Sequence, residues 1–167
     1  MAQDAPVRID RLRAEELAPY LDRLIREYAG DHVRDGSWTA EASEERARSE
    51  VERLLPRGLE TPDHYLFAIR VSSEDVGRIW FARRQEPGGR PYAFVYDLIV
   101  YPSHRRRGYA EAAMRAIEPM VRKLGLDRIS LHVFGFNTGA IRLYERLGYA
   151  PTNVVMAKPV GAEPTRA

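Results

Sequence analysis

Leu98 to Met114 reads LIVYPSHRRRGYAEAAM, a strand end, a basic turn and a helix start in seventeen residues. To the left it continues the apolar run YAFVYDLIV, Tyr92 to Val100, of the kind found in a strand covered on both faces. To the right, Ala110, Ala113, Met114, Ile117, Val121 and Leu124 fall on one helical stripe. Arg105, Arg106, Arg107 and Gly108 lie between. The first N–H groups of a helix have no internal partner and sit at the positive end of its dipole, so this turn is built for an anion. Gly108 lets an oxygen approach bare main chain, and Ala110 keeps the next turn small. The spacing R-x-x-G-x-A matches neither G-x-x-x-x-G-K-[ST] nor G-x-G-x-x-G, which speaks against an ATP-driven or nicotinamide enzyme.

Outward from this stretch the elements are mixed. Val7 to Leu12 reads as a short strand, and Arg13 to Tyr28 as a helix complicated by Pro19. DGSW marks a turn; Thr39 can cap a second helix that runs to about Leu55 and is stopped by Pro56 and Gly58. His64 to Val71 and Val76 to Ala82 are strand-like and joined by SSED, as in a hairpin, and EPGGRP leads into the apolar run. Beyond the central helix, which contains Pro119 and is followed by Gly125 at its C′ position, come a strand from Arg128 to Phe134 and a helix from Thr138 to Leu147 ended by Gly148. A last strand, Thr152 to Lys158, closes the sheet. The order predicts one mixed α/β (α+β) domain over 7–160, with tails at 1–6 and 161–167, and not a doubly wound dinucleotide fold.

Composition narrows the chemistry. The chain has 167 residues, no cysteine and a net charge of +2, so disulfides, thiolate metal sites and cysteine nucleophiles are excluded. His32, His64, His104 and His132 form no i, i+4 pair, and no metal is expected. The start MAQDAPVRID shows no basic-then-apolar leader, and no run of about 20 apolar residues occurs; a cytoplasmic protein without membrane association is expected. Glu15 to Glu60 holds 12 acidic and 7 basic residues, whereas Ile99 to Arg128 holds 7 basic and 3 acidic. One short basic turn without aromatic platforms gives no case for a nucleic-acid partner.

Two ordered stretches together resemble the general N-acetyltransferase (GNAT) superfamily. LIVYPSHRRRGYAEAAM is similar to its coenzyme-A motif, a strand ending in L-x-V and then [QR]-x-x-G-x-[GA] opening a helix; LHVFGFNTGAIRLYERLGY, Leu131 to Tyr149, is similar to its second hallmark. The resemblance covers about Tyr92 to Lys158 and implies a single domain with a mixed, mostly antiparallel sheet of six to seven strands. That sheet would be splayed between strands 4 and 5 and flanked by helices on both faces. It further implies an acetyl-CoA-dependent N-acetyltransferase, with no metal, that moves an acetyl group to a primary amine by direct attack on the thioester. A non-catalytic acyl-CoA-binding module is the alternative.

Carried over residue by residue, the resemblance assigns the pantetheine arm to Leu98, Ile99 and Val100, and the pyrophosphate to Arg105, Arg106, Arg107, Gly108, Tyr109 and Ala110, mostly through main-chain N–H groups. Asn137 would touch the arm, or simply cap its helix, with Ala140 leaving room; Tyr144 would face the coenzyme sulfur, or simply pack. A tyrosine, protonated at neutral pH, can donate a hydrogen bond or proton to the departing thiolate. Some relatives place a base on the L-x-V strand where this chain has Phe94; others carry a histidine five residues before the Asn, and His132 matches it, though a structural histidine is equally compatible. The acceptor would enter between the first two helices, where Tyr28, Asp31 and Trp38, with Asp97 from the strand, are expected to bind it. That acidic half suggests a small cationic molecule, with a protein amino group as second choice. Homodimers are common among such relatives, and no residue here decides the matter.

Overall fold

The computed structural model describes residues 6–158 and 160, so the tails expected at 1–6 and 161–167 lie outside the described residues apart from Pro6. The elements are β1 (Val7–Arg11), α1 (Ala14–Arg34), α2 (Ser43–Leu54), β2 (His64–Val71), β3 (Glu74–Arg84), β4 (Tyr92–Val100), α3 (Tyr109–Lys123), β5 (Ile129–Leu131) and α4 (Thr138–Arg146). They build one sheet in the order β1-β2-β3-β4-β5. The first four strands are antiparallel neighbours, and β4 and β5 run parallel. Five strands form among the described residues, not six or seven.

The strand expected at Thr152 to Lys158 is not formed. Val154, Val155 and Met156 stand 69%, 94% and 89% exposed. The neighbour they would need, β5, offers a ladder only three residues long. β5 itself stops at Leu131 rather than Phe134, because β4 has already turned away and leaves His132 onward without a pairing partner.

Helices cover both faces. α3 lays Tyr109, Ala113, Met114, Ile117 and Val121 against Phe67, Ile69, Ile79, Phe81 and Val95. On the other face α1 and α2 set Tyr20, Leu24, Ile25, Ala47 and Val51 against Leu66, Ala68 and Trp80. Each large apolar side chain so buried contributes about 1.5–3 kcal/mol. Pro119 lies inside α3 without ending it. No helix among the described residues is long and apolar enough to cross a membrane.

Two local features position the site. Glu16, in the first turn of α1, accepts from the Arg13 N–H (2.9 Å), from Arg13 Nε (3.1 Å) and from the Arg70 guanidinium (2.6 Å). Burial opposes ionisation of this carboxyl, but the Arg13 and Arg70 contacts outweigh it and hold its pKa down to about 2. That ties the start of α1 to β2. At its far end α1 does not stop at Tyr28, as its apolar spacing suggests; it passes Gly30 and ends at Arg34, where Gly36 takes a φ of +80°. α2 begins later than a Thr39 cap would set it, at Ser43, after Ala42 adopts a left-handed conformation.

Candidate active site

The parallel pairing of β4 with β5 is confined to Ala93–Val95 against Ile129–Leu131. Past it the two strands part. The divergence coincides with a bulge: Trp80 pairs with Asp97 and Phe81 with Val95, so Tyr96 is an extra residue on β4. Because the bulge absorbs one residue, Tyr96 and Asp97 both come to the α1 side. Tyr96 stacks on Trp80 at 4.7 Å, and Asp97 accepts a hydrogen bond from the Tyr20 hydroxyl at 3.0 Å. A cleft of about 750 Å³ occupies the gap, walled by α1, α2, β3, β4, the segment after β5, and α4.

At the start of α3 lies the basic turn. Arg106 (φ +66°) and Gly108 (φ +78°) both take left-handed conformations, an arrangement that points successive N–H groups the same way. Among the described residues, the main-chain N–H groups from Arg106 to Glu111 have no hydrogen-bond acceptor, and no side chain caps the helix. Arg105 turns back to donate from Nε to the Val100 carbonyl at 3.0 Å, bracing the strand end against the turn. Arg106 and Arg107 are exposed and make no ion pair among the described residues. The Tyr109 ring is buried in the α3 core, so only its main chain is available to a ligand. Ile99 is held from behind: a Cβ on Gly77 of β3 would lie 2.1 Å from its carbonyl oxygen.

Tyr144, on α4, lines the cleft with Leu98, Asn137 and Ala140. Its phenol is pushed up to about 12, first by burial and then by the negative charge of Asp97. The Asn137 side chain caps α4, its Oδ1 accepting from Ala140 N at 3.2 Å. Its amide NH₂ remains for another partner. His132 lines the cleft at its exposed rim, edge-on to Phe134 at 5.0 Å.

The opposite wall comes from α1 and α2. Tyr28 and Asp31 line the cleft, as expected. Trp38 borders it differently. His32 stacks on its ring at 4.1 Å and the Arg46 guanidinium lies over it at 4.3 Å; two groups that close to one ring must take opposite faces, so neither face is left for a ligand cation. Asp97 is likewise set aside as an acceptor contact, since its carboxylate is engaged by Tyr20 and does not line the cleft. Burial raises Asp97 to about 6 against the Tyr20 hydrogen bond and Arg23, which lower it.

Sequence reading missed His32, Glu50, Arg84 and Phe134 among the cleft residues. Tyr28 donates to Glu50 at 2.9 Å, and the His32 ring lies edge-on to Tyr28 at 4.6 Å and to Phe134 at 5.1 Å. Burial lowers the His32 pKa, against Asp35 and Glu50, which raise it. A helix ending at Tyr28 hides it; carried one turn further, the i, i+4 pair Tyr28–His32 shares one helix face.

The sequence pattern of the Acetyltransferase (GNAT) family matches residues 21–149. The uncharacterised N-acetyltransferase YycN of Bacillus subtilis strain 168 is 38% identical over 149 residues, spanning 88% of this chain and 94% of that protein. The crystal structure of YycN superposes with a TM-score of 0.87 at 35% identity, covering 93% of this chain and 99% of YycN. An acetyl transferase structure from Pyrococcus furiosus gives 0.70 at 28% identity over 92% of this chain and 99% of its own. A mycothiol acetyltransferase of Salinispora tropica is 33% identical over 121 residues, 72% of this chain but only 37% of that longer protein.

Proposed function

Because the chain belongs to the Acetyltransferase (GNAT) family and is an acyltransferase whose family uses acetyl-CoA as co-substrate, we propose that it transfers an acetyl group to the primary amine of a small cationic molecule. The observation that carries this reading is the unpartnered N–H turn from Arg106 to Glu111 that follows β4, together with the Tyr144 phenol lining the cleft where β4 and β5 part. The turn suits a diphosphate. Its N–H groups need acceptors, its helix end is positive, and Arg106 and Arg107 add uncommitted charge. Leu98, Ile99 and Val100 lie past the β5 pairing and so supply a strand edge for an extended arm, which the free amide NH₂ of Asn137 would meet from α4. When bound, acetyl-CoA supplies an activated acyl carbon with a thiolate leaving group.

The site residues do three things for that chemistry. First, Tyr144 stays protonated throughout the physiological range, since burial and Asp97 hold its pKa near 12. Handing that proton fully to a thiolate, whose acid has a pKa of about 8.5, would be uphill by about 5 kcal/mol. Tyr144 therefore acts as a hydrogen-bond donor that stabilises negative charge on the departing sulfur, not as a free acid. Second, the nucleophile must lose a proton, because an alkylammonium at pH 7 lies roughly 4.6 kcal/mol from its reactive neutral form. His132, exposed at the rim, takes that proton and passes it to solvent. Third, Tyr28 and Asp31 orient the acceptor from the α1 wall. The acetyltransferase unit is taken as residues 7–160.

Free thiol release from acetyl-CoA, measured against a panel of amines, tests the proposal, with calorimetric titration of coenzyme A alongside. Coenzyme binding with amine-stimulated release is expected. Binding without release under any amine would support the non-catalytic module instead, and no binding would remove both.

A further inference from the structure

The acceptor end of the cleft is far richer in rings than in free charge. Tyr28, His32, Phe94, Tyr96 and Phe134 all face it, together with Trp80 at its floor. Three formally charged side chains line it besides the histidines: Asp31, Glu50 and Arg84. Two are already committed. Glu50 accepts from the Tyr28 hydroxyl at 2.9 Å and lies 3.4 Å from Arg46. Arg84 rests over Phe94 at 4.9 Å and pairs with Glu86 at 3.2 Å. Asp31 alone has no hydrogen bond or ion pair on its carboxylate among the described residues.

Resting on the acetyltransferase reading, we infer that the acceptor is a monoamine whose amino group is carried on a flat apolar body, an arylalkylamine in chemical class, and that polycations are rejected. A single ammonium can be drawn in by Asp31. A second would have to sit among rings with no carboxylate left to meet it, and with Arg84 repelling it, so its desolvation would go uncompensated. The rings also serve the reaction. Desolvation disfavours the charged form of an amine, so the same walls that bind the body lower the ammonium pKa and ease its deprotonation. The balance of the step is simple. One ammonium proton leaves to solvent by way of the rim, the amine nitrogen bonds to the acetyl carbon, and the carbon–sulfur bond breaks. The second amine proton then compensates the thiolate released.

The experiment compares 2-phenylethylamine and 3-phenylpropylamine with spermidine and kanamycin as acceptors, by thiol release from acetyl-CoA and, independently, by quenching of intrinsic tryptophan fluorescence in the presence of coenzyme A. The arylalkylamines are expected to exceed both polycations by at least about 10-fold in kcat/KM and in affinity, a hydrophobic-contact difference of ordinary size. Asp31→Asn is expected to raise KM for 2-phenylethylamine about 10-fold with coenzyme affinity unaltered, and Glu50→Gln to change it much less. Equal or stronger binding of spermidine or kanamycin would overturn the inference, as would a larger loss from E50Q than from D31N. Since the fluorescence comparison needs no turnover, failure of catalysis leaves the class of ligand decided; coenzyme binding without thiol release would count against the acyl-transfer reading alone.

Discussion

The two halves of the proposed acyl-transfer site are made of different material. The end proposed for the coenzyme is main chain: left-handed turns at Arg106 and Gly108, unpartnered N–H groups to Glu111, and a strand edge at Leu98 to Val100. The end proposed for the acceptor is side chain: Tyr28, Asp31 and His32 from α1, Glu50 from α2, and Phe134 from the segment after β5. Main-chain geometry demands a glycine at a set distance from a strand and a helix, so it leaves a local signature in sequence. Side-chain walls assembled from three separate elements leave none. A family can therefore keep the first end as a readable motif and vary the second without disturbing it.

That contrast can be broken in stages. The largest effect is expected where the two ends meet, at Tyr144. Tyr144→Phe removes one donor to the sulfur and should lower kcat about 10²- to 10³-fold with coenzyme affinity unchanged; turnover near wild type would deprive Tyr144 of its role. Next comes the turn itself. Gly108→Val forces a β-branched side chain to a φ of +78°, a strain of about 1–2 kcal/mol, so coenzyme A should bind roughly 10-fold more weakly while the preference among amines stays the same. A change in amine preference would mean that the two ends are not separable. Arg106→Ala with Arg107→Ala should weaken coenzyme binding less, and mainly at low salt, because both guanidiniums are exposed and screened.

The smallest effect on turnover is expected at Asp97, which faces Tyr20. Its carboxyl is raised from 3.8 to about 6 in the fold. Between those values the native state holds more protons than the unfolded chain, so stability falls as pH rises from about 4 to about 6 and then levels off. Asp97→Asn keeps an acceptor for the Tyr20 hydroxyl and should flatten that fall, seen as a Tm that no longer declines across the interval. It should also lower the Tyr144 pKa, since the Asp97 charge helps to raise it.

The same contrast explains what is legible in the sequence. β2 and β4 have the bounds their apolar runs suggest, and α3 starts beside Gly108 and ends before Gly125, which takes a φ of +72°. These are local patterns answered locally. The end of α1 is not legible, because Gly30 and the spacing of apolar residues suggest a stop at Tyr28, whereas Ala29, 1% exposed, packs the last turns into the core. Tertiary packing there overrides a weak local preference. The bulge at Tyr96 has no mark in YAFVYDLIV, yet it decides that Asp97 meets Tyr20 on the α1 face and does not turn into the α3 core. Trp38 stands out in the sequence for its ring, and only the fold shows His32 and Arg46 on its two faces. The apolar alternation of Thr152 to Lys158 reads as a strand, but a ladder needs a partner edge, and β5 is three residues long.

The central claim is that bare N–H groups opening α3 hold the coenzyme diphosphate. Amide chemical shifts followed during titration with coenzyme A test it most directly. The account predicts that the N–H resonances of Arg107, Gly108, Tyr109 and Ala110 move downfield together and saturate with the coenzyme; saturation with those four signals unmoved, or no binding at all, would contradict it.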